Sequence, residues 1–222
     1  SSALLALSAF SAVKPLAAPL EIDGQLNESA WKDADWEGDF VAYESASDKK
    51  VEAQTAFAFL ADEKTLYLGV KCFDPKKEDL KPRADDQQVK FLFSPSGSSF
   101  DFYEFAFGFA TNLPVRVDFA SEGGNIHPEP YAPETRCWSV KTKDGWTLEA
   151  AIPLSSFYLT RNDKWSEKWL VNVGRRRGTE ESSWAPVASK FAESKRMKTM
   201  EGFPKRALAD DVAILDLNAK IE

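Results

Sequence analysis

Residues Cys137 to Ile152 read CWSVKTKDGWTLEAAI. Two runs of alternating apolar and polar residues flank Lys143-Asp144-Gly145. Asp-Gly between such runs is a hairpin signal, because tight hairpin turns need residues that tolerate positive φ. Alternation with a period of two sends successive side chains to opposite faces of a strand. This reading puts Trp138 and Val140 on one side with Trp146, Leu148, Ala150 and Ile152. Ser139, Lys141, Thr147 and Glu149 then take the other side. One apolar face per strand describes a sheet with one side on a core.

The same pattern extends outward in both directions. Gln54 to Leu60 and Leu66 to Phe73 predict a hairpin across the polar turn Ala61 to Thr65. Val89 to Phe93 and Phe102 to Phe109 predict a second pair, split by SPSGSS. Val115 to Phe119, Trp169 to Val173 and Val212 to Leu217 complete the strands. Many short strands with frequent turns predict an all-β fold, a two-sheet antiparallel β-sandwich of immunoglobulin-like or jelly-roll type. Asn27 is placed to cap a short N-terminal helix over Asn27 to Ala34. Pro186 to Arg206 is polar and weakly helical, and reads as a long surface excursion of the kind that often carries function.

The chain has 222 residues, a formal charge of −7 and a pI near 5.0. That length suits one sandwich domain, 1–222, with residues 1–20 an N-terminal extension or signal remnant. An acidic chain without a long Lys/Arg run argues against nucleic acid as a partner. Arg175, Arg176 and Arg177 read as a solvated strand end. No stretch approaches the ~20 apolar residues of a membrane span. Ala3 to Val13, ALLALSAFSAV, resembles the end of a secretory signal, or forms an ordered strand or helix; export follows from the first alternative. Cys72 and Cys137 both fall in strands, as two buried thiols or as a bridge between neighbouring strands.

Five segments, in order, resemble family-9 carbohydrate-binding modules and the related DOMON-like sandwich domains. They are Glu21 to Trp36 (EIDGQLNESAWKDADW), Ala61 to Pro75 (ADEKTLYLGVKCFDP) and Asp85 to Phe93 (DDQQVKFLF). Gly145 to Phe157 (GWTLEAAIPLSSF) and Trp169 to Arg175 (WLVNVGR), followed by Ser183-Trp184, complete the set. The resemblance implies a non-catalytic sandwich module that recognises a glycan or polysaccharide outside the cytoplasm, secreted or periplasmic. A structural or protein-interaction sandwich is the alternative, and a glycan-processing enzyme the third reading. Trp31, Trp146 and Trp169 are expected in the core, and Glu149 and Asn172 are placed to satisfy backbone groups.

The sugar-binding branch of that family stacks pyranose rings on aromatic side chains and fixes their hydroxyls with a few polar groups. It has a Trp before the third segment, where this chain has Lys81-Pro82-Arg83-Ala84. It has Glu where Lys90 stands, Arg where Ala106 stands and Gln where Gly174 stands. Its second stacking Trp lies in the excursion, where this chain offers Phe191 and Phe203. The candidate ligand-binding residues are therefore Arg83 and Lys90, with Tyr103 or Phe203 as the stacking face. Lysine for glutamate reverses the local charge and predicts an anionic sugar, a uronic acid or a sulfated glycan.

Other chemistries have weaker support. No cofactor is expected; a structural calcium would use Asp85 and Asp86 with Asp74. His127, the single histidine, lacks a nucleophile signature such as GxSxG. Haem binding of the DOMON kind would draw on Met197, Met200 and His127, whose spacing does not favour it.

Overall fold

The computed structural model describes residues 12–43, 50–75, 86–120, 134–188 and 192–205, together with the backbone of 126–128. The first strands in chain order are β1 (Lys14–Pro15), β2 (Val41–Ala42), β3 (Thr55–Ala61), β4 (Thr65–Phe73), β5 (Gln87–Ser94), β6 (Phe102–Gly108) and β7 (Arg116–Ala120). The rest are β8 (Ile126–Pro128), β9 (Arg136–Lys141), β10 (Gly145–Pro153), β11 (Lys168–Arg177), β12 (Glu180–Ser183) and β13 (Lys198–Glu201). They form two sheets. The smaller runs β1-β3-β4-β10-β9, and the larger runs β2-β12-β11-β5-β6-β7-β8, with β13 also pairing β11. All pairings between these strands are antiparallel except the short β1–β3 contact. The expected two-sheet sandwich is the observed fold. No helix among the described residues is long and apolar enough to cross a membrane.

Alternation fills the space between the sheets. Phe57, Phe59, Leu68, Val70, Trp146, Leu148 and Ile152 of the small sheet meet Val89, Phe91, Phe93, Phe105, Phe107, Val171 and Val173 of the large one. Trp169 stacks on Phe203 with ring centroids 4.3 Å apart. Such aromatic contacts add to the stabilisation from buried area.

The β9–β10 hairpin corrects one phase of the sequence reading. Trp138 is the register partner of Glu149, and Val140 of Thr147. Trp138 and Val140 therefore lie on the outer face, and Trp138 is 50% exposed. It is Cys137, opposite Ala150, that faces the core. Cys72 and Cys137 are both free and buried, so no bridge joins them.

The outer face of the small sheet is covered by the chain's own N-terminal segment. Leu16, Leu20, Ile22, Leu26, Trp31 and Trp36 pack on Ala58, Leu60 and Tyr67. The helix α1 spans Ser29–Lys32, shorter than expected, and its N-cap is Glu28 rather than Asn27, with no side-chain cap bond. What fixes the segment is Glu149. Its carboxylate accepts from the Trp31 indole N–H at 2.6 Å and from the backbone N–H groups of Gly24 at 2.7 Å and Asp23 at 3.1 Å. Gly24 takes φ +81°, and a Cβ there would meet the Trp138 backbone at 3.0 Å, so the turn needs glycine on both counts. The Ile-Asp-Gly turn and the tryptophan ten positions before the chain reaches Val41 are thus one clasp closed on β10.

Among its described residues the excursion after Trp184 forms no α-helix. It makes one 3-10 turn at Ser194–Arg196, then returns to the large sheet as β13. Arg175 is also not solvated. It is 2% exposed, pairs with Asp74 at 3.4 Å and donates to the carbonyls of Ala53, Gln54 and Phe73 across the sandwich. Arg177 takes the other oxygen of Asp74 at 2.8 Å, while Arg176 is exposed. A buried carboxylate held by two guanidiniums satisfies charges that burial would otherwise penalise heavily. Ala3 to Ser11 and Val212 to Leu217 lie outside the described residues.

Candidate functional site

The outer face of the large sheet carries the polar chemistry. Lys90 on β5 has Ala106 of β6 as its partner on one side and Gly174 of β11 on the other. The three positions singled out by the family resemblance thus stand in one row on adjacent strands. Ala106 continues to Arg116 of β7, and Gly174 to Ser183 of β12. The next row on the same face runs Asn172, Leu92, Glu104 and Asp118. Lys90 lies half-buried between two positions with little or no side chain, diagonal to Glu104.

Charge on this face is mixed. Arg116 pairs with Asp118. Burial pushes the Glu104 carboxyl above its ordinary value, Lys90 pulls it back, Asp118 raises it and Arg116 lowers it. Arg176 and Glu181, register partners, extend the patch on the β12 side. Tyr43 stands beside them, just past β2; burial raises its hydroxyl, and the nearby carboxylates of Glu181 and Glu104 add to that. Tyr43, Phe102 and Leu170 pack around Leu92 and Met197 in a small apolar cluster. Met197 belongs to the excursion, so β5, β6 and the excursion share one surface.

The individual candidates divide. Lys90 is on this surface. Tyr103 is not: it is fully buried on the inner face, and its hydroxyl accepts from the Thr160 N–H at 2.9 Å. Phe203 is 3% exposed in its stack on Trp169, so it belongs to the core and offers no face to a sugar. Arg83 and Phe191 lie outside the described residues. Tyr43, which borders this surface, was not singled out in the sequence because no alternation around it marks a strand.

Other groupings hold less. Asp74, which a structural calcium would share with Asp85 and Asp86, is held by Arg175 and Arg177; Asp85 lies outside the described residues. Asp23, Glu28 and Glu149 bring carboxylate oxygens within 4.8 Å of one another. The oxygens of Glu149 already hold the clasp, and those of Asp23 accept from the backbone and side-chain nitrogens of Gln25 at 2.8 Å. Met197 packs on the outer cluster while Met200 lies in the central core, so the two do not converge on a haem. The backbone of His127 pairs with Phe119 on the β7 edge.

The fold is that of carbohydrate-binding modules of family 9. A candidate carbohydrate-binding protein from Bacteroides uniformis superposes with a TM-score of 0.65 at 16% identity, over 86% of this chain and 98% of that one. A family-9 module from Caldicellulosiruptor kristjanssonii in complex with cellotriose gives 0.56 at 12% identity, over 89% and 96%. The same kind of module from that organism in complex with glucose gives 0.56 at 11%, over 86% and 94%. At these identities the likeness establishes architecture. No protein-family model matches the sequence, and no curated protein matches it.

Proposed function

We propose that the protein is a non-catalytic glycan-binding module acting outside the cytoplasm, and that it binds on the outer face of the large sheet around Lys90. The observation that carries this reading is the row Gly174–Lys90–Ala106, on the sheet face that the N-terminal clasp leaves alone. Lys90 itself is half-exposed between two partners with little or no side chain, so its ammonium can meet a ligand. Hydrogen-bonding side chains and the Tyr43 ring beside them are the two ingredients of sugar recognition. The shared architecture with modules solved on cellotriose and glucose supports the same reading. Binding without turnover fits a face where carboxylates are compensated by cations rather than poised as an acid and base pair.

A glycan array with the purified protein, followed by titration of the best ligands, tests the reading. Micromolar to millimolar binding that weakens when Tyr43 becomes Ala is expected. Release of reducing ends from the bound glycan would contradict the non-catalytic part, and recovery of the native protein only in the cytosol would contradict its location.

A further inference from the structure

We propose that residues 17–36 are a strap that acid closes on the small sheet and that neutral to alkaline solution loosens, with Glu149 as the group that takes up the closing proton. Closure of the strap is independent of ligand binding. The strap is tied at both ends. The Leu16 N–H donates to the Ala61 carbonyl at 2.7 Å, and Glu37 and Phe57 exchange backbone bonds at 2.8 and 2.9 Å. Between these ties the segment packs as its own apolar cluster on Ala58, Leu60 and Tyr67, separate from the cluster between the sheets. It can therefore lift while the sandwich stays folded. Its polar anchor is Glu149, fully buried on β10.

A carboxylate has about four acceptor sites, and the donors of Trp31, Gly24 and Asp23 fill three of those on Glu149. The groups around the remaining site decide its charge. Oxygens of Asp23, Glu28 and Glu149 lie within 4.8 Å of one another. Those of Asp23 are engaged with Gln25, whereas Glu28 Oε2 is buried without a hydrogen-bond partner among the described residues. On β4, Lys71 stands two positions from Gly69, the partner of Glu149, and its ammonium lies over the Trp36 ring at 3.7 Å. On β9, Arg136 stands two positions from Trp138 and donates to the Thr135 carbonyl at 3.0 Å. Among the described residues no cation forms an ion pair with Glu149. A proton on Glu149 turns its last acceptor site into a donor and offers Glu28 Oε2, in the same cluster, the donor that it lacks. Burial foremost, and the Glu28 charge with it, favour that proton. Because the closed strap holds the proton more firmly than the open one, closure is strongest below about 4.5 and weakens as pH rises through about 7.

Hydrogen exchange of the full chain at pH 5 and pH 8, corrected for intrinsic rates, tests the proposal. The Asp23 and Gly24 amides and the Trp31 indole should lose roughly fiftyfold to a hundredfold of protection at pH 8. Their exchange should ignore dilute urea, as a local opening does. The central amides of β5 and β11 should follow urea and stay at least about tenfold better protected than the strap at both pH values. Glu28→Gln keeps the size of the side chain and offers Glu149 an N–H donor, so the pH-dependent loss should shrink about fivefold or more. Glu149→Gln should abolish the loss; should it not fold, the Glu28 variant decides alone. Strap and core exchanging with one protection and one urea response, a loss unchanged in Glu28→Gln, or a loss that persists in folded Glu149→Gln would each overturn the proposal. So would millimolar calcium that restores protection at pH 8, because the carboxylates would then close on a cation rather than a proton.

Discussion

Replacing Gly69 by alanine tests whether the N-terminal clasp depends on an absent side chain. Gly69 lies on β4 beneath the Trp31 ring. A Cβ there would stand 2.7 Å from Cζ3 of Trp31 and 2.9 Å from Cε3 and Cη2. Ordinary contact begins at 3.4 Å, so the ring must withdraw by about 0.7 Å. It has little room, being 1% exposed and tied to Glu149 by the 2.6 Å indole bond. Overpacking of this kind costs about 1–3 kcal/mol. Stretching a bond to a buried carboxylate adds about 1 kcal/mol, and alanine recovers roughly 0.5–1 kcal/mol by restricting the unfolded chain. The net expectation is a loss of about 2 kcal/mol, read from urea unfolding by circular dichroism. In a Trp31→Phe background the crowded atoms are gone, and the same change should cost at least about 1 kcal/mol less. A Gly69→Ala cost below about 0.5 kcal/mol, or strict additivity with Trp31→Phe, would refute the argument.

Three further outcomes follow from the buried polar groups. Burial raises the Glu149 carboxyl from 4.5 to about 7, with Glu28 adding to the rise and the Gly24, Trp31 and Asp23 donors opposing it. Because the folded state holds this proton more firmly than the unfolded chain, its contribution is complete below about 4.5 and fades as pH rises through about 7. The urea midpoint should therefore fall between pH 5 and pH 8, and Glu149→Gln should flatten that slope; a slope unchanged in the variant contradicts the assignment. Asp74→Asn strips the counter-charge from buried Arg175 and should cost about 3–5 kcal/mol, lowering the thermal midpoint by roughly 6–20 °C. A shift under about 2 °C would mean that water reaches the guanidinium. Burial pushes both thiols up to about 11, so a disulfide reagent near pH 8 should modify Cys72 and Cys137 only in denaturant. Rapid labelling of the native chain would show that the strands open there.

Strand positions were legible because the interior demands alternation. The predicted strands within the described residues fall within a few residues of those observed. The exception is β11, which continues to Arg177, where glycine and three arginines hide its pattern. The phase of β9 was not legible, because an outward-facing Trp138 looks like a core residue in sequence. Tyr103 could have been placed correctly. Tyr103, Phe105 and Phe107 alternate with Phe102, Glu104 and Ala106, and the polar glutamate marks the second set as outward. Reading Tyr103 as a stacking face rather than by its phase put it in the site. Phe203 had no such signal, since its burial comes from β13, whose KTME carries no apolar alternation. Arg175 illustrates the opposite limit: a charged residue is read as solvated until the carboxylate and carbonyls that neutralise it, about a hundred positions away, are known. The family resemblance singled out Lys90, Ala106 and Gly174 as separate positions, and only strand register shows that they stand in one row.

The clasp also sets an order of events during synthesis. Trp31 and the Asp23-Gly24 turn leave the ribosome early, yet their anchor lies 118 to 126 positions further along the chain. At ordinary elongation rates that separation corresponds to roughly 6–24 s. Until then Leu16, Leu20, Ile22, Trp31 and Trp36 have only the β3–β4 hairpin to cover, through Ala58, Leu60 and Tyr67. The clasp stays unlocked, its apolar residues held by the β3–β4 hairpin alone, until β10 has paired with β4. A long-range closure of this kind slows folding and leaves the unfinished chain a natural client for a holding chaperone.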